Sequence, residues 1–393
     1  MDFGVSEEQR AWQLSVRDFA QKEVAPVIGI YDREERYPTD LVQKMAPLGW
    51  LGGVVPEVWG GAGMDYVTYV LGLEEMARAC IVCSAAMSRA SGLQGGAILK
   101  FGDDDQRRDF LIPLARGEIF GSTGLTEPHS GTDVAAMETT ARRDGDDYVI
   151  NGAKIWISGV GLASWYLTFA QLDKSKGPKG ITAFIVPADT PGLIATPFKN
   201  KLGFRRLPTG ELSFTDVRVP ASLRIGPEGA GLKVAMCAVE NGRLGTAARA
   251  VGLAQACLDA SVTYAGDRVI FGEALGRKQL IQAKIADMVV GIEAARLLTL
   301  RAAWLKDSGA TRIRRETSAA KLFATEVCFR TTVDAGQIFG AYAISDEYEV
   351  SRHFRDARVL PIVEGANEQH RVMLAEYALG YRKDPVGAGG DAL

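Results

Sequence analysis

Hydrophobic positions along the chain follow two different periods, and the change between them divides it into three stretches. In EEQRAWQLSVRDFAQKEV, Trp12, Val16, Phe19 and Ala20 recur at helical spacing, which predicts an amphipathic helix. Helical patterns dominate from residue 1 to about 118, interrupted by the glycine-rich WGGAGM at 59–64. From about 119 to 225 the period shortens to two. YVINGAKIWIS alternates on both sides of Asn151-Gly152, a pair that predicts a hairpin turn, and SWYLTFAQL, ITAFIVPA and GELSFTDVRV predict further strands. The helical period returns from about 231, as in IADMVVGIEAARLLTLRAAWL, and runs to about 380, leaving GAGGDAL as a loose tail. The pattern predicts an α+β, multi-domain protein with a helical domain over 1–118, a β-domain over 119–230 and a second helical domain over 231–393.

Composition narrows the class without naming it. A chain of 393 residues is too long for one ordinary core. Its formal charge of -3 offers no basic surface for nucleic acid. MDFGVSEEQR has neither a basic start nor an apolar core segment, and no run of about 18 apolar residues follows, so a cytoplasmic protein with no membrane span is expected. Five cysteines do not suggest a disulfide framework. Cys80 and Cys83 form a C-x-x-C within EEMARACIVCSAAM, which reads as one helix carrying buried thiols. His129, His353 and His370 are far apart in sequence, so no metal site is expected.

Three segments carry chemistry when taken together. Leu125-Thr-Glu-Pro-His-Ser-Gly-Thr-Asp133 sits where helices give way to strands, with hydroxyls and amides around Gly131 able to hold phosphate or a ring edge. After Asn151-Gly152, alternation puts Trp156 and Ser158 on one face and Ile155 and Ile157 on the other, so a flat ring could lie on the tryptophan. In RDARVLPIVEGANEQ, Glu364 interrupts the apolar run Leu360 to Val363 and precedes Gly365. Burial there would raise its pKa and make it a base near neutral pH. Each has an ordinary reading by itself: a polar turn, a core tryptophan, a structural acid.

In combination they resemble the acyl-CoA dehydrogenase family. LTEPHSGTD is similar to its TEP-G-x-G-[ST]-D signature, INGAKIWIS to its NG-x-K-x-WI-[ST] strand and RVIFGEALGRKQ to its R-x-x-FG…Q cofactor loop. DAGQIFG and RDARVLPIVEG are similar to its C-terminal pair. The order and spacing match from SEEQR to AEYALGY. The resemblance implies a middle β-barrel or sandwich and a C-terminal four-helix bundle. It also implies FAD lying between the β-domain and the C-terminal helices, with its ADP half reaching a neighbouring subunit of a homo-oligomer, most often a tetramer.

The roles it implies fall on particular residues. Leu125, Thr126, Trp156 and Ser158 would meet the flavin ring, Thr132 the pyrophosphate and substrate, and Glu368 the cofactor. Arg268, Phe271, Gln279, Gln337 and Gly340 would meet the ADP portion from the partner subunit. Glu364 would take the α-proton of an acyl-CoA while the β-hydride passes to flavin N5. The thioester oxygen would be held by the Glu364 backbone N–H and the ribityl 2′-hydroxyl. Arg243, Gly365, Glu240, Asn241, Arg205 and Arg206 would line the acyl-CoA site. Arg89, in a helix through AMSRASGL, would lie near the acyl-pocket floor, where either a polar acyl group or Glu74 or Glu75 would pair with it. The product would be a 2-enoyl-CoA, with electron-transfer flavoprotein as acceptor. Ile270, Ala341, Ala343 and Ala366 depart from the family's pattern and put the geometry of FAD binding in question, and Val363 replaces a frequent tyrosine beside the base. Oxidases and redox-neutral members share the fold, and a flavin-free acyl-CoA-binding protein is a third alternative.

Overall fold

Ser6 opens the first helix. Its hydroxyl accepts from the Gln9 amide, and the Gln9 side chain accepts from the Ser6 amide, a reciprocal cap at the start of α1 (Glu7–Phe19). The computed structural model describes residues 4–237, 239–310 and 312–383, so the GAGGDAL tail lies outside the described residues. After α1 come α2 (Ile28–Arg33), α3 (Thr39–Met45), α4 (Tyr66–Ala79), α5 (Ile81–Met87), α6 (Leu93–Phe101) and the short α7 (Asp104–Gln106) and α8 (Ile112–Arg116). EEMARACIVCSAAM is two helices rather than one. Cys80 adopts an extended conformation (φ -152°), and its sulfur accepts from the Cys83 amide as the cap of α5. Both thiols are buried and free.

The middle region forms one eight-stranded sheet in the order β6-β7-β3-β2-β4-β5-β8, with β1 pairing parallel to β4. The strands are β1 (Gly121–Gly124), β2 (Thr140–Asp144), β3 (Asp147–Ser158), β4 (Trp165–Gln171), β5 (Ile181–Pro187), β6 (Leu193–Pro197), β7 (Thr209–Pro220) and β8 (Arg224–Ile225). Tyr148 and Ile150 of β3 and Phe214 and Val219 of β7 share a core with Tyr166 of β4 and Phe184 of β5, so the sheet rolls over on itself. The outer face of β4 and β5 packs under α6, α8 and α9 (Gly231–Cys237), leaving β4 buried on both faces.

Asn151-Gly152 does not turn the chain. β3 runs straight through it, with a shift of register against β7 between Ile150 and Gly152. Gly152 has φ +144°, and a Cβ there would strike Thr139. The Asn151 carboxamide is used across the sheet, accepting from the Asp216 amide and donating to its carboxylate. The pair is a bulge in a long strand. The hairpin lies earlier, at Gly145-Asp146 between β2 and β3.

The last third consists of α10 (Val239–Asp267), α11 (Gln279–Asp307), α12 (Arg314–Phe339), α13 (Glu349–Ala357) and α14 (Asn367–Ala378), with a two-residue ribbon, β9 (Val269–Ile270) and β10 (Glu273–Ala274), between α10 and α11. α10, α11 and α12 pack side by side, and α4 lies against α10 and α11. Val16, Leu73 and Ile81 therefore share one core with Leu253, Ile292 and Ala324. No helix among the described residues is long and apolar enough to cross a membrane.

Candidate active site

Glu364 stands on a turn that most residues avoid. Its φ is +55° and that of Gly365 is +89°, a left-handed pair between α13 and α14. Lys321, from the middle of α12, holds the turn from behind. Its buried ammonium donates to Pro361 O (3.3 Å), Gly365 O (2.8 Å) and the Asn367 side-chain oxygen (2.9 Å), using all three protons. Asn367 is itself fixed by donation to Thr325 and Glu326. Burial lowers the Lys321 pKa to about 8.

The Glu364 carboxylate rests against Gly242 of α10, so closely that a Cβ on Gly242 would collide with it. Protein surrounds the carboxylate densely, although the residue remains open to the cleft. Desolvation raises its pKa above the ordinary carboxylate range, opposed in turn by Arg249, Arg243 and Lys321 acting at a distance. A carboxylate with a raised pKa and no direct ion pair can accept and release a proton. Arg243 is next to it, its guanidinium held by Ser318 (3.1 Å) and 3.9 Å from where a Gly365 Cβ would lie.

The β-domain contributes a second wall. Trp156 has φ +60° and interrupts the β3 register, leaving its ring 62% exposed with only Phe198 edge-on at 5.1 Å. Ser158 beside it is also exposed. Thr126 O accepts from the Ile155 amide at 2.9 Å, bringing Leu125 and Thr126 alongside Trp156 and Ser158. A buried pair pins this loop: Lys154 Nζ donates to Glu127 (2.7 Å) and to Leu125 O (3.3 Å). Glu127 also accepts from the Glu138 and Thr139 amides. Sequence reading gave neither residue a role, although both stand inside the quoted motifs. Thr132 is exposed farther along the loop. A bare aromatic face beside hydroxyls and amides fits a flavin ring.

Arg268, Phe271, Gln279, Gln337 and Gly340 gather at the opposite end of the bundle. All five are exposed, and Phe271, 95% exposed with φ +49°, tips the β9–β10 turn. Gly242 and Asp267 lie at opposite ends of α10, 25 residues apart. At about 1.5 Å per residue that is roughly 37 Å, so this cluster lies far from its own Glu364. Glu368 is exposed in the first turn of α14, near Lys321 and four residues beyond Glu364.

The residues expected to line the acyl-CoA site divide. Gly365 and Arg243 adjoin Glu364. Glu240 pairs with Arg314 at 3.6 Å, while Asn241 donates to Ser91 O at 2.9 Å and accepts from Lys306, so both tie helix ends together. Arg206 is wholly buried between Asp32 (2.9 Å) and Asp356, which corrects the expectation of a CoA contact: its charge joins three parts of the fold. Half-buried Arg205 donates to Lys201 O. Arg89 lies not in a helix but in the turn between α5 and α6, over the Phe120 ring and bonded to the Tyr37 hydroxyl at 3.2 Å. Glu74 and Glu75 are taken by Arg296 and by Arg17 with Arg78, so neither pairs with Arg89.

Comparison with known proteins gives the family. Family models for the acyl-CoA dehydrogenase N-terminal, middle and C-terminal domains match residues 6–118, 122–217 and 229–379. The chain is 42% identical to the mitochondrial short-chain specific acyl-CoA dehydrogenase of Bos taurus over 373 residues, covering 95% of this chain and 90% of that protein. The butyryl-CoA dehydrogenase of Megasphaera elsdenii superposes with a TM-score of 0.92 at 40% identity, covering 96% of this chain and 100% of that one. A chain solved in work on the electron transferring flavoprotein of Acidaminococcus fermentans also gives 0.92, at 37% identity and the same coverage. The chain belongs to the acyl-CoA dehydrogenase family.

Proposed function

We propose that the protein carries out FAD-dependent α,β-dehydrogenation of an acyl-CoA, with Glu364 as the base that removes the α-proton. The observation that carries this reading is the carboxylate itself, desolvated, free of direct ion pairs, open to the cleft and held on a left-handed turn. When bound, FAD supplies the acceptor for the β-hydride at flavin N5. The α-proton passes to a Glu364 oxygen, the double bond forms between the α- and β-carbons, and a 2-enoyl-CoA leaves. The Glu364 N–H donates to the thioester oxygen as charge develops there. Arg243, Arg249 and Lys321 give the site a positive potential that favours the developing enolate. Lys321 keeps the Glu364 turn from relaxing, and Trp156 with Ser158 walls the cleft.

A homo-oligomer, a tetramer built as a pair of dimers, is part of the reading. The roughly 37 Å along α10 argues that Arg268, Phe271, Gln279, Gln337 and Gly340 serve a neighbour's cofactor. Val290, Leu297 and Trp304 recur every seven residues along α11 and are all exposed, an apolar stripe suited to a second copy. Light scattering tests this: a monomer retaining one FAD per chain contradicts it. Electron-transfer flavoprotein is the proposed acceptor and the cytoplasm the proposed location. Steady oxygen consumption with acyl-CoA as sole partner would mark an oxidase instead. The function itself is tested by anaerobic bleaching of the bound flavin with a panel of acyl-CoAs, which the wild type is expected to show and Glu364→Gln to lose.

A further inference from the structure

Arg249 is a buried guanidinium that no carboxylate answers. It is 8% exposed, and its two hydrogen bonds go to neutral hydroxyls, Ser88 at 2.8 Å and Thr246 at 3.1 Å. Beside it the buried Tyr69 hydroxyl makes no well-formed hydrogen bond, its polar neighbours being the Ser88 and Ser91 hydroxyls. Every other arginine discussed above that is at least as buried has its carboxylates: Arg206 has two. A charge left in this state is costly unless something else meets it.

Its position says what that is. Helical side chains lean toward the N-terminus, and the Arg249 nitrogens lie 3.3 and 3.6 Å from where a Cβ on Gly245 would stand. Gly242, against which the Glu364 carboxylate rests, is three residues earlier on the same face of α10. The floor between base and guanidinium is thus made of glycines, and the two groups are separated along the helix by roughly one turn, about 5 Å. An acyl chain with its α-carbon at Glu364 and its tail running along this face would reach Arg249 about two to four carbons farther on.

We infer that Arg249, with Ser88 and the Tyr69 hydroxyl, is the recognition site for a carboxylate at the end of a short acyl chain, so that the preferred substrate is a dicarboxylic acid mono-thioester of CoA. The inference rests on the reading of Glu364 as base and of this cleft as the acyl site. Arg249 meets the tail bidentately, Ser88 and Thr246 orient the guanidinium, and the Tyr69 hydroxyl donates to the same carboxylate. A plain acyl chain of equal length leaves the guanidinium without an anion, and discrimination by a site with a buried charge left unpaired is strong.

The test uses the FAD-loaded enzyme with an artificial electron acceptor and two matched pairs, glutaryl-CoA against pentanoyl-CoA and adipyl-CoA against hexanoyl-CoA. Wild type is expected to favour one carboxylated member over its partner by about tenfold or more in kcat/KM. Arg249→Met is expected to lose at least about tenfold more kcat/KM on that substrate than on its plain partner, so that the preference collapses. Should Arg249→Met fail to fold, Thr246→Val, which removes one prop from the guanidinium, shifts the ratio in the same direction. Preference for the plain acyl-CoAs in wild type overturns the inference. So does equal loss on both members of a pair, which would leave Arg249 serving Glu364 alone. So does collapse of the preference in Arg89→Met but not in Arg249→Met. Failure of every acyl-CoA to reduce the flavin is a different result and brings down the proposed function itself.

Discussion

Two groups of buried and half-buried cations lie in this fold, and they are treated in opposite ways. Arg206, at the junction of the three regions, is enclosed by Asp32 and Asp356, with Arg355 completing the cluster at 2.5 Å from Asp32. Lys154 is likewise matched to Glu127. Around Glu364, Arg243, Arg249 and Lys321 bond to hydroxyls, carbonyls and an amide, and the one carboxylate among them touches none. The first group uses its charge to join segments distant in sequence. The second leaves it uncompensated, as a site for an anionic transition state requires. Pairing, rather than burial, separates the structural cation from the functional one.

The comparison breaks most plainly at its anions. Glu364→Gln should cut turnover by about 100- to 10,000-fold while leaving flavin content and thermal midpoint near wild type, because a glutamine of similar shape cannot take the proton. Arg206→Met should do the reverse, destabilising the fold by about 3–5 kcal/mol because buried Asp356 loses its cation and Asp32 keeps only Arg355, with turnover per bound flavin preserved in what remains folded. Denaturant melts and flavin-normalised rates read both. If the two variants behave alike, the division fails.

A smaller effect sharpens the second group. Glu364 acts as a base only when deprotonated, and its pKa is raised, so kcat/KM should climb with pH through a limb above the ordinary carboxylate range. Lys321 holds the turn with three protons and has its pKa lowered to about 8, so activity should decline again as pH rises past about 8. Lys321→Met should lower kcat by about tenfold and move the acid limb to higher pH, since one positive charge near Glu364 is lost. Lys321→Arg, which stays charged, should remove the alkaline decline. An unchanged pH profile in both variants would make Lys321 a packing residue.

The smallest effect is local. Ala366 is the cap residue of α14 and has no side chain to offer its amides. Ala366→Thr should stabilise the protein by roughly 1 kcal/mol, seen as a small rise in melting temperature with unchanged kcat. A fall would mean that the space at the cap is needed by the Glu364 turn.

Local signals in the sequence carried far, and tertiary ones did not. The change of period located helices, strands and helices again, and three quoted motifs supplied Glu364, Trp156 and the Thr126 loop. Asn151-Gly152 misled because a bulge and a hairpin draw on the same backbone freedom; only the pairing of β3 with β7 tells them apart. Cys80 broke a pattern that reads as one helix because its sulfur caps the next one. Arg206 was invisible for a different reason: its partners are 174 and 150 residues away. The left-handed backbone at Trp156, Phe271 and Glu364 has no signature in residue type at all, since none of the three favours it.

The central claim is that Glu364 moves the α-proton, and proton transfer can be observed apart from hydride transfer. An acyl-CoA with no hydrogen on its β-carbon can lose its α-proton but cannot be dehydrogenated. Incubated with the FAD-loaded enzyme in deuterated buffer, it should take up deuterium at the α-carbon, read by mass spectrometry. With Glu364→Gln carrying the same flavin content, uptake should fall at least about 100-fold. Uptake by the variant at the wild-type rate would place the base on another residue and contradict the account.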